Sequence, residues 1–279
     1  MMTWGMRMKI GNREFDIEKC TYVMGILNAT PDSFSDGGRY SKVDQALFRV
    51  EEMLDCGMDI LDIGGESTRP GFLPVHWHEE CRRVLPIIEE VKRRFDIPVS
   101  LDTCKGEVAK MGIYAGVDMI NDVWGLKFDE SLAQVIGKEQ IPCVLMHNRK
   151  EGVYGNLMED IKSDLEESIA IAHEAGISDD KIILDPGIGF AKSYENNLEI
   201  IDKLDRLKQL GYPILLGTSR KSVIGLTLDL PVGDRIEGTL VTTVFGVLKG
   251  CAFVRVHDVK ENVRAIKMTE AILRERKLL

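Results

Sequence analysis

The chain has 279 residues, 44% of them apolar and 29% charged, and carries a formal net charge of −9. That length suits one large domain or two medium ones, with ample apolar material for a core. The acidic balance argues against non-specific nucleic-acid binding, which needs a basic face; no apolar run nears the ~18 residues of a membrane span, and Met1 to Gly11 lacks the apolar centre of a signal peptide.

Residues 1–20 read as a polar N-terminal extension, with a hairpin expected to close the bottom of the fold. The first strong strand is Tyr22 to Asn28, followed by a turn-rich loop to Gly38. Val43 to Cys56 carries apolar residues at Ala46, Leu47, Val50, Met53 and Leu54, a helical stripe, and Gly57 stops it. Strand Asp59 to Ile63 leads through Gly64-Gly-Glu-Ser-Thr-Arg-Pro-Gly71 to a helix over Trp77 to Arg94. Strand Pro98 to Asp102 precedes a helix from Cys104 to Tyr114, and strand Asp118 to Asp122 precedes one near Ser131 to Gly137. Strand Pro142 to Met146 opens the loop His147 to Asn156 and a long helix to Ala175. Then come strand Ile182 to Asp185, with a helix over Glu195 to Leu210, and strand Pro213 to Gly217, with helix resuming over Asp234 to Leu248. Strand Ala252 to Val256 and a helix to Leu279 complete the chain.

Eight strand–helix units without a linker or composition shift predict a single α/β domain over 21–279, a (β/α)₈ TIM barrel. A doubly wound nucleotide fold fits less well. Gly187-x-Gly189 is the nearest approach to a dinucleotide fingerprint, and Lys192 stands where its third glycine belongs. Six scattered cysteines without a Cys-x-x-Cys pair read as reduced thiols of a cytoplasmic protein. His76 and His78, beside a helix start, make a poor zinc site.

A barrel gathers its active site at the carboxyl ends of the strands. Here those ends are polar: Asn28, Asp62, Asp102, Asn121, Asp122, His147, Asp185, Lys221, Arg255 and His257. Side chains two apart on a strand point the same way, so Ser100 with Asp102, Ile183 with Asp185 and Phe253-Arg255-His257 aim polar groups above an apolar layer. Arg255 needs an anionic partner on the barrel side, and Asp62 would supply a purely structural one. Asp102 has a second bland role as N-cap of the next helix. Ser219 or Ser222 with His257 and Asp102 lacks the sharp elbow of a nucleophile triad. A desolvated Lys221 could form a Schiff base, as in barrel aldolases. The set suits a planar heterocycle with mixed donors and acceptors, plus an anionic group near Arg255 and His257.

Five blocks carry a family resemblance: Gly25-Ile-Leu-Asn28-Ala-Thr-Pro-Asp-Ser-Phe-Ser-Asp-Gly-Gly38, Asp62-Ile-Gly-Gly-Glu-Ser-Thr-Arg-Pro-Gly71, Asp185-Pro-Gly-Ile-Gly-Phe190, Gly217-Thr-Ser-Arg-Lys-Ser222 and Arg255-Val-His-Asp258. In sequence and order they resemble the signature blocks of the dihydropteroate synthase family, and they span the chain from about residue 20 onward. That family is a (β/α)₈ barrel joining 4-aminobenzoate to the methylene of a dihydropterin diphosphate, with release of pyrophosphate in folate synthesis.

The resemblance implies roles for particular residues. Asp102, Asn121, Asp185 and Lys221 would bind the pterin, between the apolar walls Met146 and Phe190. Asn28 would ligate Mg²⁺ on the diphosphate, with Thr68, Arg69, Arg255 and His257 on its oxygens. Phe34, Thr68, Pro70, Phe190, Lys221 and Ser222 would surround the aminobenzoate, where sulfonamides compete as mimics. Asp102, Lys221 and Arg255 carry the catalysis on this reading, with Asp102 stabilising a cationic methylene. Gly37-Gly38 and Gly64-Gly65 make closure of the two glycine-rich loops feasible. A homodimer is implied as well. Two rivals share the pterin site: a methyltetrahydrofolate–corrinoid methyltransferase, which has no use for the Ser-Arg-Lys-Ser and Arg-Val-His-Asp blocks, and a non-catalytic pterin-binding protein.

Overall fold

The computed structural model describes residues 7–30, 42–67 and 75–276. Eight parallel strands lie side by side in the order β8-β7-β6-β5-β4-β3-β10-β9. They are β3 (Tyr22–Asn28), β4 (Ile60–Gly64), β5 (Val99–Asp102), β6 (Met119–Asp122), β7 (Cys143–Met146), β8 (Ile182–Asp185), β9 (Leu215–Leu216) and β10 (Phe253–Val256). A lone parallel bridge, Leu184 to Ile214, joins the two end strands, with the Leu184 N–H donating to the Pro213 carbonyl. The sheet is thereby a nearly closed barrel.

The intervening helices are α1 (Lys42–Asp55), α2 (Trp77–Arg94), α3 (Gly106–Tyr114), α4 (Glu130–Glu139), α5 (Leu157–Glu174), α6 (Tyr194–Asp202), α7 (Leu204–Leu207), α8 (Ser222–Leu228), α9 (Ile236–Lys249) and α10 (Val259–Arg276). The helix expected over Glu195 to Leu210 is broken. Lys203, at φ −105° and ψ 20°, leaves the helical region, and the last residues, Lys208–Leu210, tighten into a 3₁₀ turn before Gly211. The strand expected over Pro213 to Gly217 shortens to Leu215–Leu216 with the isolated bridge at Ile214 before it, since proline lacks the N–H for a ladder. His76 caps α2, its ring nitrogen accepting from the His78 N–H.

Two apolar layers follow from the strand alternation. Residues pointing outward, such as Leu61, Leu101, Leu145, Leu184 and Val254, pack against the helices. Those pointing inward fill the barrel floor: Met24, Ile60, Met119, Val144, Ile183, Leu215 and Phe253. The hairpin of β1 (Arg7–Ile10) and β2 (Arg13–Asp16) adds Met8, Ile10 and Phe15 to that inner cluster. Phe15 sits edge-on to Tyr22 at 4.8 Å and tilted to Phe253 at 5.9 Å, so the amino-terminal end of the barrel is plugged by aromatic packing.

Candidate active site

The polar ring is built by register. Asn28 pairs with Gly64, Gly64 with Asp102, and Asp102 with Asn121, on the same inward face as Met24 and Met119 below them. Met146 pairs with Asp185 beyond. Gly217 ends the seam strand, where a Cβ would come 3.6 Å from Asp185 Oδ2 and 3.8 Å from Lys221 Nζ. Asp102, Asn121, Asp185, Lys221 and Arg255 therefore gather above one apolar floor.

Arg255 is its electrostatic centre. Its Nε donates to Asp62 Oδ2 at 2.6 Å and its Nη2 to Asp102 Oδ2 at 2.7 Å, while Asn121 Nδ2 donates to the same Asp62 oxygen at 3.3 Å. Asp62 is wholly buried, so the structural ion pair exists, with a second carboxylate added. Burial resists charge on Arg255, yet Asp62 and Asp102 hold its pKa above the ordinary arginine value. Burial lifts the Asp102 carboxyl to about 7 against the opposite pull of Arg255. Asp102 Oδ1 is buried without a protein partner, an acceptor open to a ligand.

Asp102 does not cap α3. The N-cap position is Lys105, with no side-chain capping bond, and the Gly106 N–H donates instead to Asp129 Oδ2 at 2.8 Å. Two polar strand ends also point away from the mouth. Asp122 turns outward and accepts from the N–H groups of Trp124 and Leu126, holding the next loop. His147 turns outward to Asp164 of α5.

Asp185 Oδ1 accepts from the Gly187 N–H at 2.7 Å. Burial raises its pKa, opposed by Lys221. Lys221 Nζ lies 4.9 Å from the centre of the Phe190 ring and donates to the Ile188 carbonyl. Burial lowers its pKa to about 8, with Asp185 restraining the drop. An ammonium between a carboxylate, an aromatic face and a carbonyl is a hydrogen-bond donor; a Schiff base needs a free amine.

The loop carrying Lys221 is stitched to the loop after β10. Ser219 Oγ lies 3.0 Å from His257 Nδ1 and also accepts from the His257 N–H, and Arg220 grips Asp258 through Nε at 3.0 Å and Nη2 at 2.5 Å. Arg220 adopts φ +59°, a left-handed conformation rare for a residue with a Cβ. Arg235 locks the turn by donating to the carbonyls of Arg220 and Lys221. Asp102 is held by Arg255 and is not the third member of a Ser219–His257 triad.

Asn28 and His257 are half-buried at the ends of β3 and β10, Phe190 is half-buried, and Ser222 is exposed at the start of α8. Phe34, Thr68, Arg69 and Pro70 lie outside the described residues, as do Gly37 and Gly38. Gly64 belongs to a buried strand, and Gly65 is a packing glycine: a Cβ there would sit 2.7 Å from Val84 and 3.0 Å from the Glu80 side chain.

The inward carboxylate and amide beside a buried lysine are the geometry of this site, and comparison with known proteins gives its family. A family model described as pterin binding enzyme matches residues 24–257. The chain belongs to the pterin-binding enzyme family. Among its relatives, a dihydropteroate synthase of Clostridium beijerinckii is 60% identical over 268 residues, covering 96% of this chain and all of that protein. A dihydropteroate synthase of Clostridium difficile, solved in the presence of pteroic acid, superposes with a TM-score of 0.90 at 52% identity, covering 92% and 98% of the two chains. One from Xanthomonas albilineans, solved with 4-aminobenzoic acid, gives 0.92 at 38% identity, covering 96% and 98%. The family's TIM-barrel fold is the fold described above.

Proposed function

We propose that the chain joins 4-aminobenzoate to the methylene of 7,8-dihydropterin-6-methyl diphosphate, giving 7,8-dihydropteroate and pyrophosphate. The carrying observation is the 60% identity to a dihydropteroate synthase along that enzyme's whole length, together with inward Asp102, Asn121, Asp185, Lys221 and Arg255. The corrinoid methyltransferase is disfavoured because the Ser219–His257 and Arg220–Asp258 contacts stitch together two loops beside Arg255 that such a transfer does not use.

In this reading Asp185 accepts from the pterin's adjacent ring and exocyclic N–H groups, and Asn121 donates and accepts beside it. Lys221 donates to the ring's oxygen and nitrogen, and Met146 and Phe190 form the walls of the slot. Arg255 carries five N–H donors, of which the two carboxylate bonds use two, so the same guanidinium also meets the diphosphate. His257 and Arg69 complete that grip. The carbon–oxygen bond to the diphosphate breaks, and ionised Asp102 stabilises the cationic methylene left behind. The neutral arylamine forms the new carbon–nitrogen bond and gives its proton to solvent. Thr68, Pro70, Phe34 and Ser222 frame that second substrate, where a sulfonamide competes.

Among the described residues, no group of three or more His, Cys, Asp or Glu could hold a metal ion. Magnesium tolerates that arrangement when one protein oxygen, here Asn28, joins substrate phosphates and water. Bound Mg²⁺ supplies charge neutralisation on the leaving pyrophosphate.

The test is direct. Purified protein with magnesium and both substrates should release pyrophosphate only when 4-aminobenzoate is present, and no release would overturn the proposal. Lys221→Ala should raise the Kd for the pterin substrate about tenfold or more by calorimetry, since it leaves Asp185 without its buried cation.

The homodimer belongs to the same proposal. Val241, Phe245 and Leu248 are exposed along one face of α9, with Met268 and Ile272 exposed on α10 and Leu226 and Leu228 on α8. Spacings of four and three place the α9 set in one stripe, and such a patch on an otherwise charged chain marks an interface. Phe245→Glu should halve the mass seen by sedimentation; a wild-type chain that already sediments as a monomer removes the idea. No helix among the described residues is long and apolar enough to cross a membrane, and a cytoplasmic location is part of this proposal.

A further inference from the structure

Beside the slot lies a buried polar cluster that the reaction above does not use. Lys192 Nζ lies 2.8 Å from His147 Nδ1 and donates to the Phe190 carbonyl at 2.9 Å. The opposite ring nitrogen, Nε2, meets Asp164 Oδ2 at 2.9 Å, and Arg149 grips the same carboxylate through Nε at 2.5 Å and Nη2 at 3.2 Å. His147 is 2% exposed. Burial lowers the pKa of Lys192 to about 7, with Asp185 restraining the drop. The Asp164 carboxylate on Nε2 sets the His147 ring as the neutral Nε2–H tautomer, leaving Nδ1 to accept from Lys192. Burial and the charge of Lys192 push the His147 pKa down to about 3, so the histidine stays neutral throughout the working range of the protein.

The backbone around the cluster is over-determined. Gly187 is forced, because a Cβ there would lie 2.0 Å from the His147 carbonyl and 3.2 Å from Lys192 Nζ. Ala191 stands at φ +46°, a left-handed conformation that a residue with a Cβ keeps only when neighbours hold it. Those neighbours are the Lys192 bond to Phe190 on one side and Tyr154, whose hydroxyl donates to the Ala191 carbonyl at 2.9 Å, on the other. The reversal at Ala191 brings Lys192 back beneath Phe190. The turn from Asp185 to Phe190 is thus held by two lysines, Lys221 on the Ile188 carbonyl and Lys192 on the Phe190 carbonyl.

We propose that Lys192 is a positioning residue of the pterin slot: anchored by His147 and, through it, by Asp164 and Arg149, it fixes the turn that sets the Phe190 wall against Lys221 and aims Asp185. Lys192 touches neither substrate. In its protonated form it also places a second positive charge near Asp185 and favours that carboxylate. The cluster reaches the slot from α5 and the loop after β7, so groups outside the barrel mouth govern affinity inside it. This assignment rests on the pterin reading of the slot.

The experiment separates the two. Calorimetry measures binding of the pterin diphosphate and, separately, of inorganic pyrophosphate with magnesium, in wild type and in Lys192→Met. The expected result is a pterin Kd raised about tenfold with pyrophosphate affinity unchanged, since the turn lies on the ring side of the site. Long-range ¹⁵N spectra should show His147 as the Nε2–H tautomer in wild type, with its Nδ1 resonance shifted in the variant. Asp164→Ala, on α5, should weaken pterin binding about threefold or more by releasing His147, and it carries the test if Lys192→Met does not fold. Wild-type pterin affinity in either folded variant overturns the inference, as does an equal loss for pyrophosphate, which would report general collapse. Wild type that fails to bind the pterin overturns the function instead.

Discussion

Arg255→Met is expected to destabilise the protein by about 3–5 kcal/mol, the penalty for stranding buried carboxylates without their cation. Asp62 is completely buried and Asp102 nearly so, and both point at the one guanidinium. Asn121 would remain as a donor to Asp62, but an amide offers no charge. The variant should therefore melt earlier and recover as pH falls, because protonating one of the two acids relieves their repulsion. Thermal melts at pH 5 and pH 8 check this: the deficit relative to wild type should shrink at the lower pH. An equal deficit at both would mean that repulsion between these acids is not the cause. On the proposed function, activity should be lost whatever the pH, since the diphosphate would lose the Arg255 guanidinium.

The second large effect is Asp102→Asn, which should lower kcat by about two to three orders of magnitude, the usual worth of a charge aimed at the transition state. Affinity for the pterin diphosphate should change far less, since an amide keeps an acceptor at the same place. In wild type, Asp102 titrates near 7 and must be ionised, so kcat/KM falls as pH drops through about 7. Lys221 must remain protonated to donate, and its pKa of about 8 makes kcat/KM fall as pH rises past that value. The result is a narrow bell. The asparagine variant should lose the acidic limb and keep the alkaline one; an unchanged acidic limb would assign that proton to another group.

How much of this was legible in the chain depends on the kind of information each residue carries. Strand ends such as Asp102, Asp185 and Arg255 follow from a period of two and short apolar runs, which is why the barrel and most of its polar ring are readable. Asp122 and His147 were drawn into the mouth by position alone, although each directly follows an inward residue, Asn121 or Met146, and parity turns them outward. The Ala252 to Val256 strand read correctly, whereas Leu215–Leu216 shrank because Pro213 and Gly217 bracket it. From sequence, Lys192 only spoils a nucleotide fingerprint; its link to His147 spans 45 positions and arises from folding. Asp258 likewise acquires meaning only opposite Arg220. The stripe Val241, Phe245, Leu248 was available as a spacing, hidden in a helix with apolar residues on every side.

The ring of strands is sewn shut at one place by a lone bridge, Leu184 to Ile214. Asp185 follows directly on one lip of that seam, and Lys221 hangs from the other. On the proposed function, a ligand held by both groups would act as a further rung, tying the two lips together when it binds, so that occupancy of the slot would favour closure of the cylinder.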